Sequence, residues 1–150
     1  MEIIRDNNKQ RISDYLVMMA DTFTPSLHDQ VEIGGYAGKL ASHAVNLFLT
    51  DGQRDWGYAA FYANDSALKR AFISSISVSP ELHGLGHAQK LMRHIEQLAQ
   101  LMAMNAIILE VNSKNTRAFH FYQRQGFIPF NEKTDTMMMI KSLSQRSAEA

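Results

Sequence analysis

The sequence predicts an α/β (α+β) domain: a mixed, mostly antiparallel twisted sheet with helices on both faces and a central β-α-β crossover. Three observations predict it. Arg70 to Val78 reads as a strand, Gly86 to Met102 as a long amphipathic helix and Ala106 to Val111 as a second strand, so the two strands are parallel and adjacent. Ahead of them, Ala44 to Leu49, the turn Asp51-Gly52 and Trp56 to Tyr62 form a strand–turn–strand pattern, hence an antiparallel meander. Two helical stretches precede the meander, and a helix and two strands follow the crossover.

Residues 2–5 form a short first strand. Ile12, Tyr15, Leu16 and Met19 recur at helical spacing, which predicts a helix from Asn8 to about Phe23, interrupted at Thr24-Pro25-Ser26. A second helix is expected from about Leu27 to Ala44, with Val31, Tyr36, Leu40 and Ala44 on one side. Gly34-Gly35 weakens it, because each glycine in a helix costs about 1 kcal/mol relative to alanine. In the strand Arg70 to Val78, alternation puts Phe72, Ser74, Ile76 and Val78 on one face and Ser75 and Ser77 on the other. The long helix carries Ala88, Leu91, Met92, Ile95, Leu98, Ala99 and Met102 at i, i+3, i+4 and i+7. The near-continuous apolar run Ala106 to Val111 predicts burial on both faces. Asn115 is a helix cap, Thr116 to Gln125 the helix it starts, and Gly126 its left-handed end with Phe127 packing back. Phe127 to Phe130 and Thr136 to Ile140 complete the sheet.

A chain of 150 residues suits one domain with one core, here residues 1–143, with a polar tail over 144–150 that is expected to be disordered. Lysine plus arginine total 15 and aspartate plus glutamate total 15, so there is no electrostatic case for nucleic acid or an anionic membrane. The absence of cysteine removes disulfides, thiolate metal sites and a cysteine nucleophile together. The start, Met1 to Asp6, carries acidic residues where a signal peptide has basic ones, and no apolar run is long enough for a membrane span. A cytoplasmic protein is expected.

The most informative stretch is Ile76 to Ala88. A strand leads into the loop His83-Gly84-Leu85-Gly86-His87, and the long helix begins at once. Amides at the positive end of a helix dipole form a seat for a phosphate or diphosphate. A Walker loop needs Lys-Ser or Lys-Thr after its last glycine, and His87-Ala88 stands there instead. A dinucleotide fingerprint needs a third glycine, where this chain has Gln89, although Glu110 sits where a ribose-binding acid could.

A third pattern covers more of the chain. Val78-x-Pro80, then His83-x-x-Gly86-x-Ala88 and a long helix, resembles the acyl-CoA-binding motif of the GNAT superfamily of N-acetyltransferases. Gly86 and Ala88 match that motif, and His83 stands where arginine or glutamine is usual. Downstream, Leu109-Glu110-Val111, Asn115, Ala118, Tyr122, Gly126 and Phe127 fall at the spacing these enzymes use after their fifth strand. The resemblance covers roughly residues 70–130. It implies a GNAT-like sheet, acetyl-CoA as co-substrate and no metal. It also implies that residues 83–88 hold the diphosphate, while Ile76, Ser77 and Val78 pair with the pantetheine arm as an added strand would. Dimers are common in the family, and a homodimer is expected by that analogy.

The resemblance also implies roles. Tyr122 donates a proton to the departing thiolate and touches the cofactor; a phenol with a pKa of about 10 is protonated at neutral pH, as a general acid must be. Glu110 is a candidate base for the amine proton, and equally a structural carboxylate paired with a basic side chain. Many family members place the base on the fourth strand, where this chain has Ser74-Ser75; those serines could hold a water that relays the proton. Asn115 is a candidate hydrogen-bonding partner of the pantetheine arm as well as a cap. Phe23, His28 and Tyr36 on the first two helices, together with Ser74, are the candidate acceptor-binding residues. His83 and His87 lie four apart, but loop glycines between them and the want of a third ligand argue against a metal. Gly-x-Ser-x-Gly is absent, so no serine nucleophile is indicated. The function expected is N-acetyl transfer to a small-molecule or peptide amine. The alternative is a non-catalytic coenzyme A-binding sensor or scaffold of the same fold.

Overall fold

The structure, a computed structural model, describes residues 1–143; the expected disordered tail lies outside the described residues. Seven strands form one sheet in the order β1-β2-β3-β4-β5-β7-β6. They are β1 (Glu2–Arg5), β2 (Val45–Thr50), β3 (Asp55–Tyr62), β4 (Arg70–Val78), β5 (Ala106–Asn112), β6 (Ile128–Glu132) and β7 (Thr136–Ser142). Every neighbouring pair is antiparallel except β4 and β5, which are parallel. The helices are α1 (Lys9–Met19), α2 (Leu27–Gln30), α3 (Ile33–His43), α4 (His87–Leu101) and α5 (Thr116–Arg124). The mixed sheet and its crossover are as the sequence predicts.

Two apolar cores sandwich the sheet. Ile12, Tyr15, Leu16 and Met19 of α1 pack with Ala37 and Leu40 of α3 against Phe48, Tyr58 and Ala60. On the opposite face, Leu91, Met92, Ile95 and Ala99 of α4 pack with Phe127 against Leu47, Phe61, Ile73, Ile107 and Leu109. Each large side chain buried in this way stabilises the fold by about 1.5–3 kcal/mol. The predicted helical stripes are therefore the residues that touch the sheet. Caps fix the helix ends: Asn8 accepts from Arg11 N at 2.9 Å, and Asn115 from Ala118 N at 3.2 Å. Gly126, at φ +97°, turns the chain out of α5, and Phe127 N donates back to Tyr122 O at 3.0 Å.

Three expectations need correction. The single helix over 27–44 is two helices, and the break falls at Val31-Glu32 rather than at the glycine pair. Glu32 caps α3, its carboxylate accepting from Gly34 N at 2.9 Å and Gly35 N at 2.7 Å. A Cβ on either glycine would stand 3.0 Å from a Glu32 oxygen, so the glycines admit the cap. Second, beyond Ala106 β5 is buried on one face only. Ile107, Leu109 and Val111 are buried, whereas Ile108 is half-buried and Glu110 exposed, because α1 and α3 lie over β1 to β4 and leave β5 uncovered.

Third, the faces of β4 differ from simple alternation. Phe61 pairs with Ile73, but Ala60 pairs with Ser75, so Ser74 is an extra residue, a β-bulge. The bulge reverses the parity of everything after it. Phe72 and Ser74 lie on the α1/α3 face as grouped, but Ile76 and Val78 join the α4/α5 core, and Ser75 and Ser77 face α1 and α3 with Ser74.

Candidate active site

β4 and β5 pair only from Arg70 with Ala106 to Ile73 with Leu109, although β4 continues to Val78 and β5 to Asn112. Past that point the two strands part, which leaves backbone donors and acceptors along their facing edges. Ile76, Ser77 and Val78 lie on this stretch of β4. The chain enters α4 after β4 and α5 after β5, so both helix starts follow the diverging ends.

The start of α4 is open. Gly86 is its N-cap at φ +85° and supplies no side-chain cap. Among the described residues, no acceptor meets the N–H groups of Gly84, Gly86, His87, Ala88 or Gln89. Gly84 and Gly86 both need the left-handed backbone (φ +83° and +85°), and a Cβ built on either would meet nothing within 4 Å. Unpaired amides, the positive end of a four-turn helix and no acidic residue in the first turn make an anion seat. His83 is exposed; its N–H is bound to Pro80 O at 3.1 Å, and its ring meets no partner among the described residues. His87 and Ala88 are half-buried in the first turn. Asn115 is committed through its side-chain oxygen to capping α5.

Tyr122 and Glu110 lie on opposite faces of the sheet. Tyr122, on α5, packs against the α4/α5 core with its ring 5.9 Å from Phe127 and 5.5 Å from Phe121. Its hydroxyl meets no hydrogen-bond partner among the described residues, and burial pushes the phenol up to about 12. Glu110 lies just beyond the last β4–β5 pair. Alternation against Leu109 and Val111 turns it to the α1/α3 face. There its carboxylate accepts from Thr136 Oγ1 at 2.6 Å and faces Lys133 Nζ at 3.4 Å.

The bulged serines meet two tyrosines. Tyr36 and Ser74 share a hydrogen bond of 2.5 Å, and Tyr15 and Ser77 one of 2.9 Å. Burial raises the Tyr36 phenol and pushes that of Tyr15 up to about 12. Beside the first pair opens a cleft of 560 Å³ lined by Tyr36, Lys39, His43, Tyr62, Phe72 and Ser74, with Val31 and Asn64 at its rim. Of the expected acceptor residues, Tyr36 and Ser74 are thus brought together. Phe23 packs on the α1/α3 core and His28 stands exposed on α2, and neither lines this cleft. Lys39 and His43 were not singled out from the sequence; their spacing from Tyr36, three and seven residues, was the available signal. Among the described residues, no three His, Cys, Asp or Glu side chains form a group that could hold a metal, and no helix is long and apolar enough to cross a membrane.

Comparison with known proteins follows the same lines. Residues 20–127 match the acetyltransferase (GNAT) family. No curated protein matches the chain in sequence. Among solved structures, an acetyltransferase of the GNAT family from Staphylococcus aureus superposes with a TM-score of 0.77 at 15% identity, over 95% of this chain and 99% of that one. An Escherichia coli N-acetyltransferase acting on an alanine of a ribosomal protein gives 0.75 at 18% identity, over 95% and 94%. The PaiA N-acetyltransferase from Thermoplasma acidophilum, solved with coenzyme A, gives 0.72 at 14% identity, over 95% and 99%. At these identities the likeness is one of fold.

Proposed function

The chain belongs to the acetyltransferase (GNAT) family, and on that premise we propose that it moves the acetyl group of acetyl-CoA to a primary amine by direct attack, without a covalent enzyme intermediate. The observation that carries this reading is the parting of β4 from β5 beyond Ile73 and Leu109, with an open helix start beyond one strand and an unpartnered phenol on the helix that follows the other.

In this reading the amides at residues 83–88 hold the diphosphate. The edge of β4 from Ile76 to Val78 pairs with the peptide-like pantetheine arm. Asn115 adds a polar group from its side-chain amide. The amine enters from the α1/α3 face, past Tyr36 and Ser74. Its nitrogen attacks the thioester carbonyl carbon, and a backbone N–H of β4 stabilises the oxyanion that forms. The C–N bond forms first, and the C–S bond breaks as the oxyanion collapses back to the carbonyl. Tyr122 gives its proton to the departing sulfur. The ammonium proton passes to Glu110, or to water held at Ser74 and Ser75. Acid and base on opposite faces suit this geometry, because the amine arrives from one side of the sheet and the thiolate departs on the other.

A second reading, a coenzyme A-binding sensor or scaffold without catalysis, draws on the engagement of Glu110 by Thr136 and Lys133. Titration with acetyl-CoA, followed by thiol detection across an amine panel, separates the two. Saturable binding with thiol release supports transfer. Binding with no release on any amine supports the second reading, and no binding removes both.

A further inference from the structure

The cleft beside Ser74 has a charge pattern that acetyl transfer alone does not require. Lys39 and His43 line it, and no carboxylate does. Tyr36, Lys39 and His43 stand at i, i+3 and i+7 of α3 and so form one stripe. Tyr36 is tied to the bulge, so Lys39 and His43 mark the far end, up to about 10 Å along the helix. Arg70 opens β4 on the same sheet face as Phe72, since Ala71 and Ile73 belong to the other core. Its Nε is buried with no hydrogen-bond partner, and neither Arg70 nor Lys39 enters an ion pair among the described residues.

Carboxylates on the adjoining elements have partners of their own. Glu32 caps α3, Asp65 accepts from Leu68 N at 2.9 Å, and Glu110 holds Thr136 and Lys133. Burying a cation without a counter-charge is costly, and that cost falls on Arg70, two residues before the cleft's Phe72, whereas Lys39 and His43 are exposed.

We propose that this cleft selects an amine that also carries an anionic group, a carboxylate or a phosphate. The anion is held by Lys39 and His43, which line the cleft, and the amino group lies at Tyr36 and Ser74. The inference rests on the transfer reading for the identity of the bound molecule as acceptor, but the anion site is testable without turnover.

The test is a chemical-shift titration of the ¹⁵N-labelled protein with aminohexanoate, aminohexyl phosphate, hexylamine and diaminohexane. The expected result is saturable perturbation along α3 by at least one anionic amine, with a Kd about 10-fold or more below that of hexylamine. The tighter of the two anionic amines identifies carboxylate or phosphate. Lys39→Glu, at an exposed position, is expected to reverse the order in favour of diaminohexane. Equal binding of hexylamine, tighter binding of diaminohexane to the unaltered protein, or no saturable shift with either anionic amine overturns the proposal. Thiol release from acetyl-CoA is measured on the same samples. Anionic amines that bind without release would sink the transfer reading and leave the anion site standing.

Discussion

The hydroxyl oxygens of Tyr36 and Ser74 lie 2.5 Å apart and join α3 to the bulged residue of β4, 38 positions away in the chain. One hydroxyl donates to the other, and the accepting partner keeps its own proton for a further contact. The pair lines the 560 Å³ cleft, so that contact is available to a molecule entering it.

Tyr36→Phe keeps the ring in place and removes one member of the pair. We expect the acceptor KM to rise by about 5- to 10-fold, the worth of one hydrogen bond, with acetyl-CoA affinity unchanged. Steady-state kinetics at saturating acetyl-CoA, beside calorimetric titration of the cofactor, measures both. An unaltered acceptor KM would move the amine away from this pair.

Tyr122→Phe removes the proposed general acid. Turnover should fall by about 100-fold or more, with little change in acetyl-CoA affinity. Burial raises this phenol to about 12, so the native enzyme keeps the proton well into alkaline solution. Its rate should climb with pH as the amine deprotonates and should show no descending limb below about pH 10. A descending limb centred near neutrality would assign the acid to a different group.

Glu110→Gln separates proton acceptance from architecture. The glutamine can still accept from Thr136, and the exposed pair with Lys133 is worth about 1 kcal/mol or less. Stability should therefore stay within about 1 kcal/mol while turnover drops about 10-fold or more. Full activity in the variant would pass the amine proton to water at the bulge.

Alkaline solution should weaken the fold through its tyrosines. Tyr15 is 2% exposed with its phenol pushed up to about 12, and the fully buried Tyr58 is raised further still. The unfolded chain gives up these protons near pH 10, whereas the native chain retains them. Below about pH 10 this contribution is complete, and it is lost as pH climbs through the folded-state values. Urea midpoints should be flat from about pH 7 to 9 and fall above 10, with Tyr15 alone contributing on the order of 2 kcal/mol. In Tyr15→Phe the alkaline decline should be shallower; an identical decline would remove Tyr15 as its source.

Much of this arrangement is written in local pattern. The α4 stripe, the Asn115 cap, the Gly126 exit and the crossover depend on residues a few positions apart, and each is where periodicity puts it. What escaped reading depends on distant partners. The extra residue at Ser74 exists only relative to Ala60 and Phe61 of β3, so counting along β4 cannot reveal it. The bare outer face of β5 follows from how far α1 and α3 reach across the sheet, which no apolar run encodes. Glu32 caps two glycine amides only because the chain breaks before it, and that break depends on packing beyond the local sequence. Tyr122 and Glu110 were legible through motif spacing, whereas Lys39 and His43 gained meaning only once their stripe lay over Phe72 and Ser74.

One surplus residue in β4 thus acts as an odd–even switch for everything downstream of it. Trimming the strand by a single position there would swing Ile76 and Val78 toward the α1/α3 face and drive Ser75 and Ser77 into oil. Efforts to reshape the cleft are accordingly best confined to exchanges of side chains around its wall, with the length of that strand left untouched.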